Sequence, residues 1–510
     1  MIMKKGKYKI DSDENSDFMY NVIREIVTKI GPRPSGSENE KKTAELIKSI
    51  LENYCDETHI EHFNAYPRAF LGWFKIVIPM IILSYFVYFL SDLITPFVTS
   101  LIGLSLTLLA LFILYKHFLS YEIWTPKIFP YKEKQSQNVV GIIKPKKNPK
   151  KRVVLSAHMD SCFRFSLIEY TRQGYVYFIA SGILGVAQFI LIHVSRLIYV
   201  LVNWPEKSHW TYFVNWIIVI VPFFMTFFIF VMGQHEKIFY GSFRKMDKMG
   251  YITIIGCLTY SMTVVLAFYR YLMTDPTLIK SAGILMIVSV PYLVGLFFYL
   301  SKHSNNSAID NLTAVAPCIC AAKILKEYQE KYQDKFPNET EVVIAIVGSE
   351  EVGLIGSYNF AKRHAEEYNK IDTTCINLES LEESRYQRIY MIEETTKTEL
   401  SPEVYEPLAK CSEELGIETH LRGMPGIAGG TDATGLVRGG LKATSIEGIN
   451  YKDYMYWYHS TRDNIDMINK ERRPCMDVGK DWKHRNIRCA MENALKTILL
   501  YIEKKDKGEI

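Results

Sequence analysis

The sequence has little net charge, no internal repeat and no low-complexity stretch. Its 60 basic residues exceed its 55 acidic residues by only five over 510 positions. Because no basic groove pattern with interleaved aromatic residues is apparent either, we expect no nucleic acid among its partners. Hydrophobic residues make up 48% of the chain, which excludes a disordered protein. The length predicts about three structural units.

The chain also lacks a cysteine framework and an N-terminal targeting pattern. Its nine cysteines show no repeated spacing, which favours reduced thiols in a non-oxidising compartment. Residues 1–17 are charged and contain no apolar core. We therefore expect neither a secretory signal nor a transit peptide there.

Long apolar runs, in contrast, are abundant. A helix needs about 20 apolar residues to cross a bilayer core of about 30 Å. Six segments approach or exceed that length: 72–90, 94–115, 175–202, 212–232, 251–272 and 282–300. The alternative, buried helices of a soluble core, is disfavoured because six helices with almost no polar face could not share one core. The sequence predicts an α-helical transmembrane bundle of about six spans.

The apolar segments come as a pair followed by a group of four, and each even number returns the chain to the same side. Residues 1–70, 118–172 and 302–510 should therefore lie on one face of the membrane. Between residues 116 and 152, ten Lys/Arg stand against two acids, and basic loops mark the cytoplasmic side. We expect a multi-pass integral membrane protein, in contact with the lipid bilayer, whose soluble part faces the cytoplasm.

The soluble part predicts strands that alternate with helices. Apolar, β-branched runs predict strands within 138–160, where two runs flank a Lys/Pro/Asn turn, and at 341–347, 373–378 and 443–445. Helical spacing predicts helices at 312–328, 355–368, 401–415 and 485–504. This alternation indicates an α/β fold with a largely parallel, covered sheet. In such sheets, ligands bind at the carboxyl ends of the strands.

Polar side chains that could bind a metal ion follow or open these elements. They are His158, Asp160, Asp310, Glu350, Glu351, Glu379 and His459. Each alone has an ordinary explanation, since a His-x-Asp pair or two adjacent glutamates is usually a solvated surface feature. Together, five carboxylates at one sheet edge would repel one another without cations, and carboxylates with imidazoles suit zinc or a similar divalent ion. Their joint placement predicts a metal site.

Six short motifs surround these residues in chain order. They are IGPRPSGSENEKKTAELI (30–47), VVLSAHMDS (153–161), SAIDNLTAVA (307–316), VGSEEVGLIGS (347–357), INLES (376–380) and YHSTRDNID (458–466). Together they resemble the zinc aminopeptidase family that includes bacterial leucyl aminopeptidases, glutamate carboxypeptidase and glutaminyl cyclase, the twenty-eighth metallopeptidase family. The resemblance lies within residues 20–66, 137–162 and 304–500. It implies a phosphorylase/hydrolase-like mixed sheet flanked by helices, the di-zinc exopeptidase fold, and a peptide substrate.

The resemblance also implies a set of ligands for two zinc ions. One ion would be held by His158, Asp310 and Glu379. The other would be held by Asp310, Glu351 and His459, so Asp310 would bridge the pair, as two-metal sites require. Glu379 departs from the family, in which aspartate is common at this position.

Two further residues have catalytic roles by the same resemblance. Asp160 would accept the other ring N–H of His158 and fix its tautomer. Glu350 would be the general base that takes a proton from the attacking water. The stretch GGTDATG (429–435) resembles a family loop near the substrate pocket. No role is assigned to Asp432 within it, because a structural loop is the simpler interpretation.

The predicted spans interrupt the peptidase-like sequence twice. The larger interruption lies between His158 and Asp310, which are 152 residues apart where the family normally has a short loop. The expected organisation is an N-terminal part of the peptidase domain (1–70), a transmembrane hairpin (71–117), the strands with the first metal motif (118–172), a four-span insertion (173–301) and the remainder of the peptidase domain (302–510).

The leading hypothesis is a membrane-embedded, zinc-dependent exopeptidase, specifically an aminopeptidase. One alternative is other amide chemistry at the same site, namely that of a glutaminyl cyclase or a carboxypeptidase. The cyclase uses one zinc ion, so the full two-metal set disfavours it. A second alternative is a catalytically inactive membrane scaffold or transport protein, which would not require every metal position and the base to be present.

Overall fold

We describe the protein from a computed structural model. The described residues are 12–90, 94–166, 168–171, 297–331, 337–426, 429–451, 454–470 and 486–510, with a few isolated positions between 190 and 201. The four spans expected between residues 175 and 300 lie almost entirely outside them. That insertion, and the domain boundaries drawn around it, therefore stay predictions.

A mixed sheet forms the centre of the described structure. Its strands and two others, in chain order, are β1 (Glu57–Ala65), β2 (Lys134–Ile143), β3 (Lys151–His158), β4 (Phe163–Phe165), β5 (Leu300–Ser304), β6 (Thr340–Val347), β7 (Asp372–Leu381), β8 (Arg388–Glu393), β9 (Thr398–Glu399), β10 (His420–Met424) and β11 (Ala443–Gly448). Nine form one sheet in the order β1-β2-β6-β3-β7-β11-β8-β10, with β9 beside β8. β4 and β5 pair separately.

The middle of the sheet is parallel. β3 and β6 carry the continuous apolar runs VVLSA and VVIAIV. Their side chains are apolar on both faces because helices cover both faces of the sheet. β6 and β7 flank β3, so that Val154 pairs with Val343 on one side and Cys375 on the other. The prediction of a largely parallel sheet was wrong, since four of the eight strand pairings within the sheet are antiparallel. β2 and β3 are consecutive in sequence, but β6 lies between them.

Helices cover both faces of the sheet. The described α-helices, not all of which pack on the sheet, are α1 (Ser12–Lys29), α2 (Glu38–Leu51), α3 (Phe74–Phe89), α4 (Pro96–Leu114), α5 (Ile168–Thr171), α6 (Thr313–Lys331), α7 (Ile355–Tyr368), α8 (Pro402–Glu414), α9 (Asp432–Arg438), α10 (Ile465–Lys470) and α11 (Ile487–Lys507). One face buries Met19, Ile319 and Leu495 from α1, α6 and α11. The other buries Phe360 of α7 and Leu436 of α9. The mixed α/β sheet with flanking helices is thus confirmed.

The first two apolar segments form a contacting pair of helices, α3 and α4. Pro96–Leu119 is long and apolar enough to cross a membrane, and α4 exposes bulky apolar side chains such as Phe97, Leu101 and Phe112. Among the described helices, Ala308–Lys331 passes the same test but is fully buried, so it is a core helix. The hairpin is therefore helical, whereas the six-span bundle is not established by these residues.

The two ends of the larger insertion meet beside the sheet. β4 and β5 form an antiparallel ribbon in which Phe163 faces Ser304 and Phe165 faces Leu300. The amide of Ser166 extends the pairing by donating to the carbonyl of Tyr299 at 2.9 Å. The chain therefore leaves the domain and returns to it at one place, so the insertion does not separate the two halves of the sheet.

Candidate metal centre

The carboxyl ends of the central strands bring the residues singled out from the sequence to one edge. His158 ends β3, Glu379 lies near the end of β7, and Glu350 and Glu351 follow β6. Because these three strands are parallel, their carboxyl ends meet. The turn before α6 and the loop after β11 add the remaining members. The full cluster is His158, Asp160, Asp310, Glu350, Glu351, Glu379 and His459.

Asp310 lies between the two histidines. Its Oδ1 is 3.3 Å from Nε2 of His158, and its Oδ2 is 3.5 Å from Nε2 of His459. Around His158, Oε1 of Glu379 completes a group of three at 3.4 Å. Around His459, Oε2 of Glu351 lies at 3.3 Å from the ring. The cluster thus has two halves that share one carboxylate, and each half contains one imidazole and one further carboxylate.

These distances fit zinc coordination. Ligand atoms about 2.0–2.1 Å from a tetrahedral ion lie about 3.3–3.4 Å from one another. The separations of 3.3–3.5 Å between the imidazole nitrogens and their carboxylate neighbours agree with that value. The donor atoms are also those that zinc prefers, imidazole nitrogen and carboxylate oxygen. Both halves therefore suit a divalent ion.

The burial of several carboxylates close together also favours the binding of cations. Burial raises the pKa of Glu379 to about 7, and it raises the pKa values of Glu350 and Glu351 well above their ordinary range. Burial likewise raises the pKa of Asp310, but hydrogen bonds from His158 and His459 outweigh it and hold that pKa below its usual range. Charged carboxylates packed together inside a protein are costly unless positive charge compensates them. Bound divalent ions would supply that charge.

Asp160 has a second contact set beyond the one expected of it. Its Oδ1 lies 3.5 Å from Nδ1 of His158. The same carboxylate accepts the backbone N–H groups of Glu350 at 3.1 Å and Glu351 at 3.3 Å. One side chain therefore orients a histidine on β3 and the turn after β6, which couples the two halves of the cluster.

Two residues that the sequence analysis did not single out hold Asp310 in place. Asp463 accepts the backbone N–H groups of Ile309 at 2.6 Å and Asp310 at 3.2 Å. Asn311 donates to the carbonyl of Leu378 at 3.1 Å and accepts the amide of Ser380 at 2.8 Å. Both residues lie in motifs quoted above, in SAIDNLTAVA and YHSTRDNID, so the motifs carried the only available signal.

Arg33 clamps the chain on both sides of the larger insertion. This buried guanidinium donates to the carbonyl of Met159 at 2.5 Å, and to those of Asn306 at 2.6 Å and Ser307 at 2.8 Å. Met159 precedes the insertion, and the other two residues follow it. Arg33 therefore fixes the distance between the segments that carry His158 and Asp310. Its place in the motif IGPRPSGS was the signal for this role.

Strained backbone is concentrated beside the cluster. Four non-glycine residues with positive φ adjoin or belong to it: Ser307 at 43°, Ser349 at 57°, Ser380 at 39° and His459 at 47°. Side chains other than glycine rarely adopt this region, and such strain persists where the surrounding structure over-determines it. Contacts around the cluster therefore hold these four residues in a backbone conformation that they would not otherwise favour.

A cleft opens onto the cluster. Glu350, Glu351 and His459 lie at its polar end. Apolar and aromatic side chains form most of the rest: Phe70, Leu71, Phe118, Tyr121, Phe165, Tyr454, Met455 and Tyr458. Asp432 lies nearby, fully buried at the start of α9. Burial raises its pKa to about 7, and its charge acts on Glu350.

Comparison with known proteins finds a family match over part of the chain. Residues 294–474 match the model described as Peptidase family M28. No curated protein sequence is significantly similar to the chain. A mixed sheet with imidazoles and carboxylates gathered at its strand ends is the arrangement of a zinc metallopeptidase, which is the class of this protein. The match to residues 294–474 confirms the resemblance to this family that was inferred from the motifs.

Several solved structures are similar to the chain at low identity. A zinc aminopeptidase from Bacillus subtilis is 13% identical, with a TM-score of 0.45, and the match covers 96% of this chain and 95% of that one. A glutaminyl cyclase from Bacteroides thetaiotaomicron is 10% identical, with a TM-score of 0.45 and coverage of 97% and 98%. A leucine aminopeptidase precursor from the same organism is 10% identical, with a TM-score of 0.44 and coverage of 98% for both chains.

Proposed function

We propose that this protein is a membrane-anchored di-zinc aminopeptidase. The observation that carries the proposal is the position of Asp310, whose two carboxylate oxygens face one histidine each at 3.3 Å and 3.5 Å. A carboxylate in that position suits a bridge between two ions. His158 and Glu379 would complete the ligands of one ion, and Glu351 and His459 would complete those of the other.

Bound zinc ions would supply Lewis acidity, which lowers the pKa of an attacking water and polarises the scissile carbonyl. Glu350 is the residue that moves the proton. Its side chain borders the cleft and is farther from His158 Nε2, at 3.7 Å, than the carboxylates assigned to the ions. It takes the proton from water and passes it to the leaving amine. Asp160 keeps Glu350 and its neighbour in register through their backbone N–H groups.

The lining of the cleft favours an aminopeptidase over a carboxypeptidase. A carboxypeptidase must neutralise the free carboxylate of its substrate, usually with arginine or lysine. The described residues that line the cleft include neither, but they include Glu350 and Glu351. Carboxylates suit the positively charged amino terminus of a peptide. A cyclase is disfavoured for a different reason, because one metal ion would leave half of the ligand set without a role.

Membrane anchoring rests on the α3–α4 hairpin and on the apolar runs of the larger insertion. Bulky apolar side chains on α4, including Phe97, Leu101 and Phe112, are exposed, and a contiguous surface of that kind marks contact with lipid or another apolar surface. The hairpin belongs to a six-span, multi-pass arrangement. The excess of Lys and Arg between residues 116 and 152 supports a cytoplasmic position for the peptidase domain.

The test is hydrolysis by purified full-length protein in detergent. Leucine and phenylalanine amides with free amino groups should be cleaved, and a chelator should abolish cleavage until zinc is restored. The same amides with acetylated amino groups should resist cleavage. Cleavage that requires a free C-terminal carboxylate instead, or cyclisation of N-terminal glutamine without hydrolysis, would contradict the proposal.

A further inference from the structure

Cys162 lies beside one half of the metal cluster and has no part in the reaction proposed for the cluster. Its Sγ atom and one ligand atom each of Glu351 and His459 all lie within 4.8 Å of one another. Cys162 is 1% exposed. Oε1 of Glu351, in a side chain that is 6% exposed, has no hydrogen-bond partner among the described residues. A buried sulfur and an unpartnered carboxylate oxygen therefore occur in one group with an imidazole, and zinc binds all three kinds of donor.

The ordinary explanation of a buried cysteine is that it is a small apolar core residue. Other cysteines of the described chain fit that explanation, since Cys318 and Cys411 pack in the apolar core on one face of the sheet. Cys162, in contrast, belongs to none of the apolar clusters formed by the described residues. Of the seven described cysteines, it is the one that shares a group with a histidine and a carboxylate. A packing role alone therefore does not account for it.

The backbone holds Cys162 at the point where the larger insertion leaves the domain. Its amide donates to Oγ of Ser307 at 3.3 Å, and its carbonyl accepts the amide of Asn305 at 3.3 Å. Three residues later, the amide of Phe165 donates to the carbonyl of His459 at 3.0 Å, and the Phe165 ring lies 4.3 Å from the imidazole. The segments that carry Cys162 and His459 are thus tied to each other, which fixes the sulfur relative to the imidazole.

The sulfur can change from thiol to thiolate without leaving its neighbours unpaired. As a thiol, Cys162 donates to Oδ1 of Asn305 at 3.1 Å. A coordinating thiol is deprotonated outright by its metal ion, so this bond would be lost on coordination. Asn305 would still accept the hydroxyl of Ser307 at 2.8 Å and donate to the carbonyl of Ser460 at 3.2 Å. The surroundings of Cys162 therefore tolerate the thiolate that coordination requires.

We propose that Cys162 is a fourth protein ligand of the ion at His459, with Asp310 and Glu351 as the other two. The proposal rests on the di-zinc function proposed above. Four protein ligands complete a tetrahedral zinc site and close it. A sulfur ligand also makes the site selective, because thiolates prefer soft ions such as zinc to hard ions such as Mg²⁺ and Mn²⁺.

The two ions then have different roles. Among the described residues, the half of the cluster around His158 has two further ligands, Asp310 and Glu379. Three protein ligands leave one position for water or substrate, as in catalytic zinc sites. Glu350 lies on that side of the cluster, with its Oε2 at 3.7 Å from Nε2 of His158. The open ion is therefore the one beside the general base, and the closed ion at His459 has a mainly structural role.

X-ray absorption spectroscopy at the zinc edge tests for sulfur without relying on catalysis. Full-length protein in detergent is loaded with two equivalents of zinc. Wild type should show a zinc–sulfur shell at about 2.3 Å beside nitrogen and oxygen at about 2.0–2.2 Å, with one sulfur for every two zinc ions. Cys162→Ala should lose the sulfur shell. The matched control is Cys411→Ala, which removes another buried thiol, from α8, and should keep it.

Zinc affinity gives a second measurement. Altering a residue that only orients a metal ligand costs about 10–100-fold in affinity, so the loss of a ligand in Cys162→Ala should weaken one of the two zinc affinities by at least about tenfold. A chelator titration measures both affinities, and Cys411→Ala should change neither. Cys162→Ser keeps a donor for Asn305, should also lose the sulfur shell, and replaces the alanine variant if that variant does not fold.

The outcomes separate this inference from the proposed activity. A shell of nitrogen and oxygen alone in wild type, or a sulfur shell that persists in both Cys162 variants, would overturn the inference even if aminoacyl amides are cleaved. A sulfur shell that depends on Cys162, in a protein that cleaves no aminoacyl amide, would support the inference and contradict the aminopeptidase function. A protein that binds no zinc would overturn both.

Discussion

Replacing Glu350 with glutamine separates proton transfer from metal binding. Glutamine keeps the size and shape of the side chain but does not accept a proton from water. The backbone N–H of residue 350 would still donate to Asp160, at 3.1 Å in the wild type. The carboxylates nearest the histidines, at 3.3–3.5 Å, would be untouched. We therefore expect full metal content with a large loss of turnover.

The size of that loss in turnover depends on whether another side chain could replace Glu350 as the general base. Glu350 and Glu351 are the acids among the described residues that line the cleft. Glu351 lies 3.3 Å from His459, as two ligands of one ion would. No second carboxylate of the described lining is therefore available as the base. General-base catalysis contributes about 10²–10⁴ in rate, which corresponds to about 3–5 kcal/mol of the barrier. We expect kcat to fall by at least about a hundredfold.

The matched control is the same substitution one residue later. Glu351→Gln should lower zinc content, because an amide is a poor ligand for zinc compared with a carboxylate. Both variants are purified in detergent, zinc is measured by inductively coupled plasma mass spectrometry, and kcat is measured with leucine amide. Near-normal turnover in Glu350→Gln, or equal metal loss in the two variants, would refute the assignment of roles.

Four further outcomes are expected. His158→Ala and His459→Ala should each lower zinc content, and full occupancy of both sites in either variant would contradict the ligand set. Phe165 donates its backbone N–H to the carbonyl of His459 at 3.0 Å and packs on that ring at 4.3 Å, so Phe165→Ala should weaken the binding of one zinc ion, which a chelator titration would detect as a shift in one of two affinities. Burial raises the pKa of Glu379 to about 7 and that of Glu40 to about 8. The contribution of these two groups to the stability of the metal-free fold is therefore greatest below about pH 4.5 and is lost as the pH rises through 7–8. Melting temperatures of chelator-treated protein should fall between about pH 6 and 8, and a rise would show that these groups are not protonated in the apo fold. Lys150 is exposed, so Lys150→Cys should resist an impermeant thiol reagent in intact cells and react after lysis; labelling before lysis would reverse the topology. Cys375 and Cys411 are buried and would not report it.

Local patterns predicted the elements of this fold well. The helix at 355–368 has the predicted bounds, and the strands expected at 341–347 and 373–378 occur as β6 and β7. Strand order is different, because it depends on pairings between distant segments. β6 is inserted between β2 and β3, although more than 180 residues separate it from β3 in the sequence. No periodicity in the 138–160 segment carries that information.

In the candidate site, too, some residues could be predicted from the sequence and others could not. Residues whose type is itself informative, such as His158 and Glu350, could be named from their positions at the ends of predicted strands. The residues that orient them act through backbone groups, and a backbone contact leaves no mark on residue type. Arg33 donates to three carbonyls on both sides of a long insertion, and Asp463 accepts two amides beside Asp310. Their function is visible only once the chain is folded.

The proposed function requires Asp310 to bridge two zinc ions. Anomalous diffraction at the zinc absorption edge, on crystals of the zinc-loaded full-length protein, tests it directly. We expect two peaks about 3.5–4 Å apart, one beside His158 and Glu379 and the other beside His459 and Glu351, with Asp310 between them. A single peak, or two peaks that do not share Asp310, would contradict it.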